Sequence, residues 1–347
     1  MTVSTQELAK TIAELTIPAK GLLAADESLG SIEKLFKAVG VANTEEARRD
    51  YREMLFSTPS LGDYICGAIL FEETFKQKGA AGVPLPELLK AQGIVPGIKV
   101  DKGMLPLSNF PGESVTQGLD NLAQRLGEYK QLGTRFAKWR AVINIGVGIP
   151  TAQSIAINAH ALARYAAICQ EHGVLPIVEP EVLMEGDHTL ATSARITEEV
   201  LHAVFHALHK ERVALEYMIL KPNMVEPGHI CPEFATPQQV AQATLICLKR
   251  TVPVAVPMIT FLSGGQSEAA ATANLNALNS AIEKPPWALR FSYGRALQTS
   301  ALRAWRGEAR NKLIAQQELY KRARLNSAAT LGTYTVVMEE SSHPRRC

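Results

Sequence analysis

The chain has 347 residues, of which 46% are hydrophobic and 20% charged, with a formal net charge of +2. That length holds one large α/β barrel or two smaller domains, and the balanced charge leaves no concentrated basic surface of the kind nucleic-acid binders carry. No uninterrupted apolar run approaches the ~20 residues needed to span a bilayer, so no membrane partner is expected.

In chain order, Met1 to Leu15 has a helical pattern with Glu7 and Glu14, and lacks the apolar core and cleavage site of a signal peptide. Short apolar runs then recur at Gly21 to Ala25, Ile65 to Phe71, Ile94 to Val100, Phe136 to Ile143, Val174 to Val178, Tyr217 to Leu220, Val254 to Phe261 and Trp287 to Phe291. Between most of them lie segments with helical spacing: Glu45 to Phe56, Gly118 to Gln131, Ala152 to Glu171, Ile196 to Leu208, Pro237 to Lys249 and Glu268 to Ala281. Strands alternating with helices imply a parallel sheet, because a parallel connection needs a crossover.

Eight such units without a Pro/Gly/Ser linker fit a closed (β/α)8 TIM barrel within residues 1–331, with extra N-terminal and C-terminal helices, followed by a polar tail over 332–347 that is expected to be mobile. The rival cue for an open dinucleotide-binding sheet is Gly146-Val147-Gly148. It lacks the third glycine of that fingerprint, and Pro150-Thr151 reads as a helix start after a loop. The basic segment Arg303 to Arg324, with Leu313, Ile314, Leu319 and Leu325 at helical spacing, predicts one amphipathic helix with a solvated basic face. The five cysteines, Cys66, Cys169, Cys231, Cys247 and Cys347, form no CxxC pair, which argues against a disulfide framework or a zinc ribbon and fits a reducing compartment, the cytoplasm.

A barrel enzyme gathers its reactive groups at the carboxyl ends of the strands. Here the apolar runs end at or carry Asp26-Glu27-Ser28, Lys99 and Asp101, Lys138 and Arg140, Glu179-Pro180-Glu181, Lys221, Ser263-Gly264-Gly265 and Tyr293-Gly294-Arg295. Lys138/Arg140 and Glu179/Glu181 are each two residues apart, which places each pair on one face of its strand. Lys221 follows the apolar stretch Tyr217 to Leu220, and Pro222 stops that run from continuing as a helix. A lysine there is either a structural ion-pair partner or an amine made nucleophilic by burial and by neighbouring cations. Glu179 is the nearest acid for the proton shuttling that imine chemistry requires, and Asp26 is a second carboxylate able to take a proton from a substrate hydroxyl. The turns Ser263-Gly264-Gly265 and Gly294-Arg295 offer backbone N–H groups, a hydroxyl and a guanidinium to a phosphate. A second anion would lie near Ser28, Ser31, Lys34 and Lys99. A metal enzyme is the other chemistry to weigh, but the only histidine cluster, His202, His206 and His209, lies on a helix with no third ligand type evident.

These motifs carry a resemblance over nearly the whole chain. Leu23-Ala24-Ala25-Asp26-Glu27-Ser28, Gly97-Ile98-Lys99-Val100-Asp101-Lys102-Gly103, Phe136-Ala137-Lys138-Trp139-Arg140, Pro176-Ile177-Val178-Glu179-Pro180-Glu181, Leu220-Lys221-Pro222-Asn223-Met224-Val225, Thr260-Phe261-Leu262-Ser263-Gly264-Gly265-Gln266-Ser267 and Phe291-Ser292-Tyr293-Gly294-Arg295-Ala296-Leu297 together resemble the class I fructose-1,6-bisphosphate aldolases. The resemblance implies reversible cleavage of fructose 1,6-bisphosphate to dihydroxyacetone phosphate and glyceraldehyde 3-phosphate in glycolysis and gluconeogenesis, with no cofactor and no metal, by a cytoplasmic homotetramer. It implies Lys221 as the Schiff-base lysine, Glu179 as general acid and base, Lys138 as a helper in carbinolamine chemistry, and Asp26 as the base for the C4 hydroxyl. Glu181 and Arg140 would hold the charge network. Ser263, Gly264, Gly265, Gly294 and Arg295 would take the C1 phosphate, and Ser28, Ser31, Lys34 and Lys99 the other end of the sugar. Two departures stand out. The family usually carries Lys-Arg where this chain has Lys34-Leu35, which implies weaker hold on the C6 phosphate, and the chain ends at Cys347 rather than in the tyrosine of animal enzymes. The nearest rivals are a transaldolase-type or deoxyribose-phosphate-aldolase-type Schiff-base enzyme and a binding protein built on an inactive barrel.

Overall fold

A computed structural model describes residues 3–340. Eight strands close on themselves: β1 (Gly21–Ala25), β2 (Ile65–Leu70), β3 (Val95–Lys99), β4 (Phe136–Ile143), β5 (Leu175–Val182), β6 (Ile219–Leu220), β7 (Met258–Phe261) and β8 (Ala288–Tyr293). Each pairs in parallel with the next, and β8 returns to β1 through Leu22 opposite Ser292 and Leu23 opposite Tyr293. This is a (β/α)8 barrel.

The alternation of side chains explains how the sheet makes both a core and a site. Inside the barrel, one end is filled by Leu22, Cys66, Ile69, Phe136, Leu175, Ile177, Ile219 and Met258, with Leu8 and Leu15 of the helix Val3–Leu15 packed against them. Along β4 the same face runs Phe136, Lys138, Arg140, and along β5 it runs Leu175, Ile177, Glu179, Glu181. The interior therefore changes from hydrocarbon to charge in one step along both of these strands. Gly97 makes room for the lower layer: a β-carbon there would lie 2.2 Å from the Phe136 ring. The opposite faces of the strands join a larger core beneath the surrounding helices, containing Trp139, Val178, Leu220, Phe261 and Phe291.

Several outer helices begin where a hydroxyl can take up a free backbone N–H. Thr151 caps Ala152–Glu171, Thr189 caps Leu190–Lys210, Ser267 caps Glu268–Asn279, and Thr236 forms a full capping box with Gln239 at the start of Pro237–Thr251. Among the described residues no helix is long and apolar enough to cross a membrane. Cys66, Cys169, Cys231 and Cys247 are free thiols.

Several expectations need correction. Arg303 to Arg324 is not one helix: Arg295–Trp305 ends where Arg306 and Gly307 turn left-handed, with φ of 52° and 75°, and a new helix runs Lys312–Thr330. Its Leu313 and Ile314 are exposed while Arg322 is buried against Glu339, so the basic face is not uniformly solvated. The sixth strand is shorter than Tyr217 to Leu220, because Leu215–Tyr217 forms a 3-10 turn, and the seventh begins at Met258, after the N–H-lacking Pro253 and Pro257. The fifth strand is longer than expected, since Glu179, Pro180 and Glu181 continue it to Val182. In the segment 332–347, Tyr334 is buried and its hydroxyl bonds Glu339, while Lys321 Nζ donates to the Glu339 carbonyl. Residues 341–347, with the altered terminus, lie outside the described residues.

Candidate active site

The carboxyl ends of the strands surround a cleft of about 680 Å³. It is lined by Asp26, Ser28, Ser31, Lys34, Lys99, Lys138, Arg140, Glu179, Glu181, Lys221, Ser263, Gly264, Gly294 and Arg295, so the structure brings all but one of the sequence-predicted residues together. Gly265 falls just behind the lining, where the open side of its α-carbon faces the His229 ring and the Arg295 guanidinium. A larger hollow of about 870 Å³ lies outside the barrel between the helices Pro237–Thr251 and Glu268–Asn279, but it holds only the exposed pair Lys249–Glu283 and no convergent acids and amines.

At the centre of the cleft is a relay of alternating charges. Lys138 Nζ lies 2.8 Å from Asp26 Oδ2 and 2.9 Å from Glu179 Oε2, and Glu179 Oε1 lies 3.1 Å from Lys221 Nζ. Lys138, Glu179 and Lys221 are each 3% exposed. Lys221 follows β6 directly, and its backbone N–H donates to the Val178 carbonyl at 2.8 Å, which fixes the chain before Pro222 turns it away. Around the relay, Lys99 Nζ lies 2.5 Å from Asp101 Oδ1, and the Arg140 guanidinium pairs with Glu181. The four cations Lys99, Lys138, Arg140 and Lys221 are thus interleaved with four carboxylates rather than facing one another.

The protonation states follow from this pattern. Burial alone pushes the Lys138 ammonium toward the neutral form, but Asp26, Glu179 and Asp101 outweigh it and hold Lys138 charged, well above the usual lysine range. Burial pushes Asp26 up, yet Lys138, Lys221 and Lys99 bring it down to about 2, so it is a carboxylate at neutral pH. Glu179 is likewise held below the usual carboxylate range: burial raises it, and Lys138, Lys221 and Arg140 more than compensate. Of the two amines on Glu179, Lys138 has a second carboxylate within ion-pair distance and Lys221, among the described residues, does not.

Two places in the cleft offer hydrogen-bond donors to anions. Gly264 and Gly265 are left-handed, with φ of 52° and 95°, and turn the chain after β7 so that Ser263 and Gly264 face the cleft beside Gly294 and Arg295, where the helix Arg295–Trp305 begins. On the β1 side, Ser28 precedes the helix Leu29–Lys37, its hydroxyl 3.1 Å from that of Ser31, with Lys34 and Leu35 on the same wall. Lys99 reaches this region with its charge already answered by Asp101.

The chain belongs to the class I fructose-bisphosphate aldolase family. Residues 7–346 match the family profile, described as fructose-bisphosphate aldolase class-I. The chain is 52% identical over 333 residues to a probable class 1 fructose-bisphosphate aldolase of Xylella fastidiosa, covering 96% of this chain and 99% of that one. It is 54% identical over 335 residues to fructose-bisphosphate aldolase 1 of Toxoplasma gondii, covering 95% and 92%. The fold matches that of a Plasmodium falciparum fructose-bisphosphate aldolase, solved in complex with TRAP and a small-molecule inhibitor, with a TM-score of 0.95 at 49% identity over 96% of this chain and 97% of that one.

Within this aldolase cleft, sequence reasoning passed over Ser292. It sits on the inward face of β8, lines the cleft, and its buried hydroxyl has no hydrogen-bond partner among the described residues. The available signal was a lone serine inside an apolar strand. Glu27, also in the lining, was read only as part of a strand-end cluster. The histidines at 202, 206 and 209 are exposed on the outer helix Leu190–Lys210, away from the cleft. Among the described residues no group of three or more His, Cys, Asp or Glu is placed to hold a metal ion.

Proposed function

We propose that this aldolase cleaves fructose 1,6-bisphosphate reversibly through a Schiff base on Lys221, with Glu179, Lys138 and Asp26 moving the protons. The observation that carries the reading is the relay Asp26–Lys138–Glu179–Lys221, in which each group lies within 3.1 Å of the next. Glu179 takes a proton from the Lys221 ammonium, and the freed amine attacks the C2 carbonyl. Glu179 returns that proton to the resulting alkoxide and then carries a second proton from the carbinolamine nitrogen to its hydroxyl, which leaves as water and forms the iminium, while the Lys138 ammonium stabilises each charge on Glu179. Asp26, already ionised, takes the C4 hydroxyl proton. The C3–C4 electrons pass into the iminium and glyceraldehyde 3-phosphate departs; protonation of the enamine at C3 balances the proton that Asp26 took from the C4 hydroxyl, and hydrolysis of the new iminium releases dihydroxyacetone phosphate and the Lys221 amine. Lys138 remains an ammonium beside both carboxylates and offsets the charge changes on each, while Glu181 and Arg140 complete the ionic layer.

In this reading Ser263, Gly264, Gly265, Gly294 and Arg295 take the C1 phosphate, and Ser28, Ser31, Lys34 and Lys99 meet the far end of the sugar. Leu35 on the wall beside Lys34 contributes no charge to a C6 phosphate. The barrel over residues 1–331 is the catalytic unit and 332–347 its tail, in a cytoplasmic homotetramer serving glycolysis and gluconeogenesis, as the resemblance implies. The test is steady-state cleavage in the presence of a chelator. Full activity of the unaltered protein and none in Lys221→Met is expected. Activity that survives in the variant, or is abolished by the chelator, contradicts the proposal.

A further inference from the structure

Two relay residues, Asp26 and Lys221, lie just beyond the end of a strand, and Lys221 is fixed there by its backbone bond to the Val178 carbonyl. Glu179 sits within a strand paired on both sides, whereas Asp26 follows the last residue of β1, at the start of the loop to the helix Leu29–Lys37. Something must hold that departing segment in place, and one side chain does so from both sides of Asp26. Gln298 Nε2 donates to the Ala24 carbonyl at 2.7 Å, two residues before Asp26, and to Glu27 Oε1 at 2.9 Å, one residue after it. Gln298 Oε1 accepts from the Tyr51 hydroxyl at 3.0 Å. The second oxygen of Glu27 lies 2.7 Å from Arg52 Nη2, and Gln298, Tyr51 and Arg52 are all buried.

The same glutamine belongs to the phosphate turn. It lies in the first turn of the helix Arg295–Trp305, and its backbone N–H donates to the Gly294 carbonyl at 3.0 Å. Gly294 packs on the cluster so closely that a β-carbon there would be 3.3 Å from the Ala24 carbonyl and 3.9 Å from Glu27 Oε1. The chemistry singles out glutamine. The position needs two donors on one atom and an acceptor on the other, which a carboxylate cannot supply for lack of protons and an ammonium cannot supply for lack of an acceptor. Burial pushes the Tyr51 hydroxyl well above its usual range, so it remains a donor and fixes which way the amide points.

We propose that Gln298 is a positioning residue that locks Asp26 in register with the phosphate turn Gly294–Arg295, so that a sugar seated by its phosphate presents its C4 hydroxyl to a carboxylate already in place. Glu27, Arg52 and Tyr51 complete the clamp. The inference rests on the Schiff-base reading for the role of Asp26. It predicts that loosening the clamp slows C3–C4 cleavage and spares imine formation, since misplacement of a catalytic group by about 1 Å costs on the order of 10²-fold in rate.

The experiment measures three quantities on the full-length protein: melting temperature, kcat and KM for fructose 1,6-bisphosphate, and the fraction of Lys221 trapped by borohydride with dihydroxyacetone phosphate, which has no C4. In Gln298→Met, kcat should fall by about 10- to 100-fold while trapping stays within about twofold of the unaltered protein. Tyr51→Phe removes one hydroxyl, keeps the packing and leaves the amide free to turn, so a smaller fall in kcat of several-fold is expected with trapping intact. Unchanged kcat in both variants, or trapping that falls in step with cleavage, overturns the proposal. If Gln298→Met does not fold, the kcat of Tyr51→Phe decides on the same terms. Absence of trapping at Lys221 in the unaltered protein counts against the Schiff-base reading instead, and the kcat comparison still decides the role of Gln298.

Discussion

Glu226→Gln is expected to stabilise the protein above neutral pH and to leave it unchanged in acid. Glu226 lies in the loop after β6, partly buried, with Asn274 Nδ2 donating to its Oε1 at 3.1 Å. Burial raises its pKa from 4.5 to about 7, and the Asn274 hydrogen bond lowers it only in part. The native state therefore binds a proton between pH 4.5 and about 7 that the unfolded chain releases. Stability is highest below the unfolded pKa and falls as pH rises through the folded one. At about 1.4 kcal/mol per pKa unit, the shift corresponds to a loss of roughly 3 kcal/mol once both states are ionised, with water near the carboxylate reducing it. Glutamine keeps the acceptor for Asn274 and carries no charge to desolvate. Urea unfolding of both proteins at pH 4, 6 and 8 should show the difference opening with pH and levelling off near pH 8. A constant difference, or a variant less stable at pH 8, would refute the assignment of Glu226 as a carboxyl strained by burial.

Glu179→Gln should lower kcat by about 10²- to 10⁴-fold, the usual worth of a general acid and base, and should slow the approach to the trapped imine as well as cleavage. Equal trapping rates in the two proteins would assign the proton transfers elsewhere. Leu35→Arg should lower KM for fructose 1,6-bisphosphate by about tenfold, in keeping with one charge-assisted hydrogen bond, and leave KM for fructose 1-phosphate unchanged. Parallel changes for both sugars would mean that position 35 does not face the C6 phosphate.

Particular residues show which features were legible in the chain alone. Phe136 to Ile143 reads as a strand with its observed bounds because the inward face, Phe136 then Lys138 and Arg140, and the outward face, Ala137 then Trp139 and Ala141, alternate without interruption. The apolar run alone cut β5 short at Val178, although the two-residue spacing of Glu179 and Glu181 already put both on one strand face, and the strand does continue through them to Val182. Arg303 to Arg324 misled for the opposite reason. Its local spacing suits a helix, and only the left-handed pair Arg306-Gly307 and the long-range pairing of Arg322 with Glu339 break the pattern. Ser292 carried only the weak signal of a lone serine in a strand, and Gln298 none. Their surroundings are made by β1, β8 and the helix Glu45–Phe56, which meet only when the barrel closes. Strand-end placement could bring Asp26, Lys138, Glu179 and Lys221 to one mouth, whereas the order of the relay, with Lys138 between two carboxylates, depends on distances that spacing does not contain.

The most direct test of the account is to find which side chain the substrate joins. The protein is incubated with dihydroxyacetone phosphate, reduced with borohydride, digested and mapped by mass spectrometry. One reduced adduct is expected, on the peptide carrying Lys221, and it should disappear in Lys221→Met. An adduct on Lys138, Lys99 or any other lysine, or no adduct from a protein that still cleaves the bisphosphate, would contradict it.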